Sequence, residues 1–396
     1  MDSRRYSVIL GGARTAFGVL GGGLKDVPAI ELGAVAIRGA LARAGVEAMQ
    51  VDYAIMGQVV QAGAGQIPSR QATIRAGMPV TVPSDTLNKV CASSLRAVNI
   101  ADMMIRAGEA RIVVVGGMES MSRAPYLLEQ GRFGMRMGHG RVADAMIVDG
   151  LWCAFGDVHM GVHGDRMARE FGVSRQDQDR WAYHSQMRAR AAREAGRFRE
   201  EIVPVPVPQK KGEPVLFSED EALRPDTTLE RLAALKPVFA PDGTITAGNA
   251  PGVNDGASAM VVADAQEARR LGHEPIARVL AHATVCAEPP YLSTVPALAA
   301  KEAVHKAGLA MNDVGLVEVN EAFAAVAVTA TRIAGWDEEK VNVNGGAIAL
   351  GHPIGASGAR ILLTLVNEMR RRGVEFGLAT ICSGAAQGEA TVVQLV

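Results

Sequence analysis

A single cysteine, Cys91, stands where the pattern predicts that an extended segment turns into a helix, and it is the first candidate for chemistry. Two serines that can cap a helix follow it, Ser93 and Ser94, and apolar residues recur at helical spacing from Leu95 onward. The N-terminus of a helix carries partial positive charge, which favours a thiolate, and a thiolate is both a nucleophile and a good thioester leaving group. The alternative is a buried structural cysteine, because free thiols often simply pack in a core.

Three further segments place polar side chains at the ends of predicted elements. Asn320 ends one predicted strand, and Cys382 ends another. A glycine-rich loop over residues 344–358 carries His352 just before a predicted helix. A lone histidine in such a loop is more often structural than catalytic. Two cysteines, one histidine and one asparagine, each at the end of an element, are harder to dismiss as structural when they occur together.

The charge balance and the cysteine spacing exclude several classes of protein. Lys plus Arg number 41 and Asp plus Glu number 42, so bulk charge favours neither nucleic acid nor an anionic membrane as a partner. The cysteines are scattered without paired spacing, which argues against disulfides and against a zinc site. No apolar run approaches the roughly 18 residues of a membrane span. We expect a soluble, untargeted protein in a reducing compartment, with no metal.

An internal repeat organises the 396 residues. The helix end and strand in residues 40–55 recur in the same order in residues 303–318. A helix that opens at residues 94–96 matches one that opens at 358–360, and each precedes a predicted strand. This order predicts two similar α/β halves around a pseudo-two-fold axis, with parallel strands and right-handed crossovers. The active site is then expected at the carboxyl ends of the strands, where the helices after Cys91 and His352 begin.

The segment between the two copies has a different character. Residues 122–144 place arginines and methionines among glycines and are predicted to form a loop. A solvated basic loop, a subunit contact and phosphate binding are its three interpretations. Further on, a capping box of Ser174 and Asp177 predicts a charged helix that ends at Gly196 and lies on the surface.

Four blocks of the sequence resemble the signature blocks of the thiolase family, the acetyl-CoA C-acyltransferases. They are NKVCASS at 88–94, NEAF at 320–323, NGGAIALGHPIGASG at 344–358 and CSG at 382–384, and the similarity covers essentially the whole chain. The resemblance implies an α/β, thiolase-like fold with duplicated α/β halves in a layered αβαβα arrangement and an inserted loop domain. The N-terminal half is then residues 1–118 with 248–272, the inserted domain is 119–247, and the C-terminal half is 273–396.

The resemblance also implies a role for each catalytic position. Cys91 takes the acyl group as a thioester after His352 removes its proton, and Cys382 acts as acid and base at the α-carbon of the second acyl-CoA. His352 and a water held by Asn320 face the enolate oxygen. The backbone N–H groups of Cys91 and Gly384 face the tetrahedral intermediate, and losing one such donor costs about 2.7–4 kcal/mol. Coenzyme A thioesters are implied as substrates, with no prosthetic group.

For coenzyme A, the resemblance implies a path across the inserted domain with Arg224 at the nucleotide end. The positions implied along the pantetheine and the acyl group are Leu151, His159, Met160, Phe239, Ala247 and Phe323. Arg224 has a second interpretation, because Asp226 is two residues away and the two side chains could form a surface ion pair.

The reaction implied is the reversible Claisen condensation of two acetyl-CoA to acetoacetyl-CoA and CoA. Residues 134–138 and 150–161 resemble the short-chain branch of the family. Three departures from the family pattern leave the acyl-chain length open: Ala385 with Ala386 where glycines are usual, Pro251 where serine is usual, and the LSTVP loop at 292–296. The alternatives are a longer-chain 3-ketoacyl-CoA thiolase of fatty-acid β-oxidation and a non-catalytic acyl-CoA or lipid-binding protein of this fold. A decarboxylating ketoacyl synthase is disfavoured by the second thiol, Cys382.

The resemblance further implies subunits that pair through a sheet-edge strand beside the nucleophile loop. Residues 122–144 lie where tetrameric members of the family tie two dimers together. The apolar residues in this segment, Phe133, Met135 and Met137, follow no helical or strand period that would bury them within the subunit. We therefore expect a cytoplasmic homotetramer, formed as a dimer of dimers, that binds neither nucleic acid nor membrane.

Overall fold

The computed structural model describes residues 5–396, in which strands and helices alternate along most of the chain. The strands are β1 (Ser7–Thr15), β2 (Gly18–Val19), β3 (Tyr53–Gly57), β4 (Ser84–Leu87), β5 (Ile112–Ser120), β6 (Tyr126–Leu127), β7 (Ala143–Asp144), β8 (Trp152–Cys153), β9 (Val158–His159), β10 (Ile202–Val203), β11 (Val205–Val207), β12 (Val215–Phe217), β13 (Asn254–Asp264), β14 (Ala277–Cys286), β15 (Leu316–Val319), β16 (Phe376–Ser383) and β17 (Gln387–Leu395). The helices are α1 (Ala29–Ala44), α2 (Pro68–Arg75), α3 (Ser93–Ala107), α4 (Met160–Glu170), α5 (Arg175–Glu194), α6 (Leu229–Ala233), α7 (Ala265–Leu271), α8 (Val295–Lys306), α9 (Ala324–Ala334), α10 (Ala347–Leu350) and α11 (Ser357–Arg372). None of these helices combines the length and the apolar character needed to cross a membrane.

The main sheet has 11 strands, and its principal order is β15-β16-β17-β14-β1-β13-β5-β3-β4. The two halves meet at β1 and β14, which pair antiparallel through only two residue pairs. Within the halves, β3, β4 and β5 run parallel to one another, as do β15 and β16. The expectation of wholly parallel sheets was wrong, because β13 and β17 run antiparallel to their neighbours in the two halves.

The predicted repeat is present in the fold. The first copy runs β3, α3, β5 and the second runs β15, α11, β16. Helices α3 and α11 both end at a glycine in the left-handed region, Gly108 at φ 83° and Gly373 at φ 65°, where a side chain would be strained. The copies differ at one edge, since strand β4 of the first half is matched in the second by a single bridge between Val317 and Val341.

The two faces of the sheet show why the molecule is layered. Successive side chains of a strand point to opposite faces. In β5, Val114 packs in a cluster with α1, whereas Val113 and Val115 pack in a cluster with α3 and α11. In β16, Leu378 packs with α8 and α9, whereas Ile381 faces α3 and α11. Helices α3 and α11 therefore lie between the two halves, which confirms the predicted αβαβα arrangement.

The N-termini of α3 and α11 approach each other closely. A Cβ atom on Gly358 would overlap the backbone nitrogen of Leu95, so only glycine fits there. Ser94 Oγ accepts a hydrogen bond from the backbone N–H of Ala359 at 2.9 Å. This contact brings the segments that carry Cys91 and His352 to one place.

The charged helix α5 exposes one face, as expected of a surface helix, but it buries the opposite face, which the expectation did not include. Its capping box is formed as predicted, with Ser174 Oγ accepting from Asp177 N–H and the Asp177 carboxylate accepting from Ser174 N–H. Trp181 and Ser185 are buried, and both donate hydrogen bonds to the carboxylate of Glu321, at 2.9 and 2.8 Å. The helix thus supports the loop that follows Asn320. The boundaries of the three predicted domains stay a prediction.

Candidate active site

The nucleophile loop is a tight turn that ends at Cys91, just before α3. Val90 adopts a left-handed φ of 44°, which is strained for a β-branched residue. Ser93 Oγ closes the turn, accepting from Lys89 N–H at 2.8 Å and donating to the Val90 carbonyl at 2.6 Å. Ser93 and Ser94 therefore do not cap α3 as predicted, because Ser93 holds the turn and Ser94 bonds to α11.

The protonation of Cys91 also differs from the expectation. The side chain is buried, and burial raises the pKa of the Cys91 thiol well above its ordinary value; the nearby Cys382 raises it further. The prediction that the helix N-terminus favours a thiolate was wrong for the unliganded site, since removal of water disfavours the charge more. The sulfur is a thiol that needs a proton acceptor before it can attack.

His352 provides that acceptor. Its Nε2 lies 3.3 Å from Cys91 Sγ, and its Nδ1 lies 2.6 Å from Ser357 Oγ. Ser357 donates its hydroxyl proton to the Pro353 carbonyl at 3.0 Å, so the hydroxyl oxygen accepts from His352 Nδ1–H. His352 Nε2 is therefore unprotonated and faces the Cys91 thiol. Burial lowers the pKa of His352 to about 3. The resting pair is a neutral imidazole beside a neutral thiol.

The backbone at His352 is held by a residue that the sequence reasoning missed. Asn254 is fully buried, and its Oδ1 accepts from the His352 N–H at 2.8 Å while its Nδ2 donates to the Gly18 carbonyl at 2.9 Å. Ser357 was missed as well, although its position five residues after His352, at the start of a predicted helix, was a usable signal. No comparable signal in the sequence marked Asn254.

Asn320 lies beside the same imidazole. Its Nδ2 is 3.4 Å from His352 Nε2, and its Oδ1 is buried without a hydrogen-bond partner in the described residues. An unpaired buried amide oxygen costs about 1–3 kcal/mol, so this atom favours a water or a substrate group as its donor. The next residue, Glu321, is fixed by Trp181 and Ser185, and these bonds set the strand end that carries Asn320.

The second thiol, Cys382, is the penultimate residue of β16 and is buried. Burial raises its pKa to about 12. Two contacts tie β16 and its neighbour β17 to the nucleophile loop. Ser383 Oγ on β16 donates to the Lys89 carbonyl, and Lys89 Nζ lies 2.6 Å from Glu389 Oε2 on β17. Because Cys382 and Gly388 are paired in the β16–β17 ladder, these contacts fix Cys382 relative to Cys91.

Gly384 lies against the nucleophile loop, since a Cβ atom on it would come within 2.9 Å of Val90 Cγ2. The two residues after it, Ala385 and Ala386, adopt left-handed φ values of 57° and 51°. A left-handed conformation costs an L-residue roughly 1–2 kcal/mol. The alanines therefore keep the backbone course that glycines would adopt freely, at a cost in strain.

A cavity of about 290 Å³ opens onto Cys91 and His352. Five of the seven residues predicted to contact coenzyme A line it: Leu151, His159, Met160, Phe239 and Phe323. The His159 ring stacks on Phe239 at 4.4 Å between centroids. Pro251, one of the departures from the family pattern, also lines this cavity. Leu292 in the LSTVP loop is instead packed in the core with Val295 of α8.

Arg224 and Ala247 do not line this cavity; both are exposed. The backbone N–H of Arg224 donates to Gln186 Oε1 at 2.8 Å. The alternative surface ion pair with Asp226 was wrong, because the Asp226 carboxylate contacts Arg231 instead. The roles of Arg224 and Ala247 in binding coenzyme A stay predictions.

Comparisons with known proteins agree with this arrangement. Residues 7–266 match the family model for "Thiolase, N-terminal domain" and residues 273–395 match "Thiolase, C-terminal domain". The acetyl-CoA acetyltransferase of Cupriavidus necator is 51% identical over 387 residues, covering 98% of both chains. That of Pseudomonas aeruginosa is 51% identical over 383 residues, covering 97% of this chain and 98% of the relative.

The fold of the chain also matches a solved structure. The crystal structure of the Bacillus anthracis acetyl-CoA acetyltransferase superposes with a TM-score of 0.97 over 100% of both chains, at 37% identity. The two family models together account for nearly all of the chain, Cys91 and His352 line one cavity, and Asn320 lies beside His352. The chain therefore belongs to the thiolase family and is an acyltransferase.

Proposed function

We propose that this thiolase condenses two acetyl-CoA to acetoacetyl-CoA and CoA, and catalyses the reverse thiolysis, through an acyl-enzyme on Cys91. The observation that carries the proposal is the placement of His352 Nε2 at 3.3 Å from the Cys91 sulfur, with a second buried thiol on the neighbouring strand end. Relatives about half identical to this chain bear the name acetyl-CoA acetyltransferase, which supports acetyl as the acyl group.

In the first half-reaction, the Cys91 proton passes to His352 Nε2 as the sulfur attacks the acetyl carbonyl carbon. The carbonyl oxygen becomes an oxyanion that faces the N–H groups of Cys91 and Gly384. The C–S bond to CoA then breaks, and the leaving thiolate takes a proton from Cys382. The products are acetyl-Cys91, free CoA, an imidazolium at His352 and a thiolate at Cys382.

In the second half-reaction, the Cys382 thiolate removes an α-proton from another acetyl-CoA. The enolate oxygen faces His352 Nε2–H and a water that donates to the unpaired Oδ1 of Asn320. The carbanion attacks the acetyl carbon on Cys91 and expels its sulfur, which takes back the proton from His352. Every proton and electron pair is then restored, and acetoacetyl-CoA has formed.

The apolar walls of the cavity favour a short acyl group. Met121, Met146 and Ile147 face the space near Cys91, together with the two rings Phe239 and Phe323. The space of about 290 Å³ must hold the end of the pantetheine as well as the acyl group. We assign Leu151, His159 and Met160 to the contact with the pantetheine, and Arg224 and Ala247 to positions further along coenzyme A.

The assignment of Arg224 to the nucleotide end predicts an increased KM for acetyl-CoA in Arg224→Ala, measured by steady-state kinetics.

For assembly we propose a cytoplasmic homotetramer, a dimer of dimers. Residues 122–144 form an arm whose base is the β6–β7 pair and whose apolar residues face outward. Phe133 is 91% exposed and Met137 is 97% exposed, which is costly for a chain that stays alone in water. Four free, scattered cysteines in the described residues suit a reducing compartment.

The substrate proposal predicts a steep dependence on chain length. In thiolysis of 3-ketoacyl-CoA substrates, kcat/KM is expected to be highest for four carbons and to fall about tenfold or more when two carbons are added, because the apolar walls leave no room for them. Steady-state kinetics with a series of ketoacyl lengths measures this. A flat or rising series would instead support the longer-chain alternative.

The mechanism predicts different defects for the two thiols. After incubation with acetyl-CoA, intact-protein mass spectrometry should show an acetyl adduct on the wild type and on Cys382→Ala, but none on Cys91→Ser. Cys382→Ala should form no acetoacetyl-CoA, because it lacks the base for the α-proton. An undiminished adduct on Cys91→Ser, or normal condensation by Cys382→Ala, would remove that residue from its role.

The assembly proposal predicts that deletion of residues 132–140 yields an active dimer. The arm carries Phe133, Met135 and Met137, so its removal takes away the apolar contact between dimers while leaving the cavity intact. Light scattering gives the mass, and thiolysis of acetoacetyl-CoA gives the activity. The proposal fails if the shortened protein remains a tetramer.

A further inference from the structure

Glu119, at the end of β5, is a buried carboxylate bonded entirely to backbone N–H groups. Its Oε2 accepts from Val59 at 3.0 Å and from Gly355 at 3.0 Å, and its Oε1 accepts from Val60 at 3.1 Å. The side chain is fully buried. One carboxylate therefore joins two separate segments, the loop after β3 and the loop between His352 and α11.

The contact depends on glycine at several positions. A Cβ atom on Gly355 would lie 2.8 Å from Glu119 Oε2, and one on Gly57 would lie 2.8 Å from the Gly355 carbonyl oxygen. A Cβ atom on Gly117 would overlap that same oxygen. These glycines allow the His352 loop to pack closely against the strand ends, where it donates a hydrogen bond to the Glu119 carboxylate.

The internal repeat shows which position of the fold this carboxylate binds. Helix α3 starts at Ser93 and α11 starts at Ser357, so Cys91 and Gly355 hold matching positions two residues before a helix. The first carries the nucleophile on its side chain. The second has no side chain, and its N–H donates to Glu119. The duplicate of the nucleophile position is thus used to anchor a loop.

Burial and the nearby Asp255 raise the pKa of Glu119 to about 8, while the N–H groups of Val59, Val60 and Gly355 act in the opposite direction. The carboxyl oxygens of Glu119 face these three donors. A neutral amide in its place would point an N–H₂ group at one of these donors, because every hydrogen-bond partner of the carboxylate is a donor. Removing the carboxylate frees three buried donors that an anion can satisfy.

We propose that Glu119 is a positioning residue for His352: it clamps the His352 loop onto the loop after β3 and so sets Nε2 at Cys91. Gly355 is three residues from His352, and Ile354 between them lines the cavity, so a shift of this loop moves both the base and the cavity wall. Glu119 itself does not line the cavity. Its effect on catalysis passes through the loop, and the inference rests on the proposed function.

The test is chemical rescue of Glu119→Ala. The variant should lose about 100-fold in kcat for acetoacetyl-CoA thiolysis, the loss typical of a displaced catalytic group, with a smaller change in KM. Sodium formate should raise the kcat of Glu119→Ala about tenfold, since its carboxylate can accept hydrogen bonds from the three freed N–H donors. It should leave the wild type unchanged. Iodoacetamide labelling of Cys91 should slow in the variant and recover with formate.

The control is Asp264→Ala. Asp264 is also buried and accepts two backbone N–H bonds, at the start of α7 far from Cys91. This variant should lower thermal stability, keep kcat and show no response to formate. If Glu119→Ala does not fold, Glu119→Gln is used, with an expected loss of about tenfold in kcat.

A folded Glu119→Ala or Glu119→Gln with wild-type kcat overturns the proposal. So does a loss of kcat in Glu119→Ala that formate does not reverse, because that result assigns Glu119 to structure alone. The labelling rate of Cys91 requires no substrate and thus tests the positioning separately. A wild type without thiolysis activity would instead refute the proposed function.

Discussion

The burial of Cys91 and His352 together is the constraint on which the rest of the site depends. Removing water from a thiol and an imidazole favours their neutral forms, so the pair rests uncharged. The thiol then becomes a nucleophile only when its proton moves to an imidazole that is already in place at 3.3 Å. Every neighbouring polar contact serves that geometry: Ser357 selects the tautomer and Asn254 holds the backbone of His352.

The duplication of the fold explains how residues so distant in sequence share one cavity. Two strand–helix–strand copies place the N-termini of α3 and α11 against each other, and Gly358 permits the contact. The copies then diverged in what each strand end carries. One supplies Cys91, the other supplies His352, Asn320 and Cys382, and the glycine that matches Cys91 is bound by Glu119. In this duplicated fold, the nucleophile and its partners therefore come from opposite halves.

Periodicity and glycine position were sufficient to predict the elements of the repeat that relates the halves, including α3 and α11. Helix–strand alternation did not give the direction of β13 and β17, since neither enters the sheet as part of a simple parallel crossover. The sequence pattern did not predict the buried face of α5, because Trp181 contacts Glu321 across 140 residues of sequence. The predicted thiolate at Cys91 was wrong for a related reason, because segments remote in sequence determine whether its side chain is buried. The four family blocks carried the catalytic positions and also contain Ser357, which was given no role, whereas Asn254 lies outside all four blocks.

The resting site holds Cys91 and His352 as a neutral pair, and ultraviolet absorption by the Cys91 thiolate tests this most directly. The difference spectrum between the wild type and Cys91→Ser, both without substrate, is recorded as the pH is raised from neutral. The structure predicts no thiolate absorption from Cys91 at neutral pH and its appearance only well into the alkaline range, because burial raises the pKa of the thiol. A full thiolate signal at neutral pH would show a thiolate–imidazolium ion pair and contradict the account.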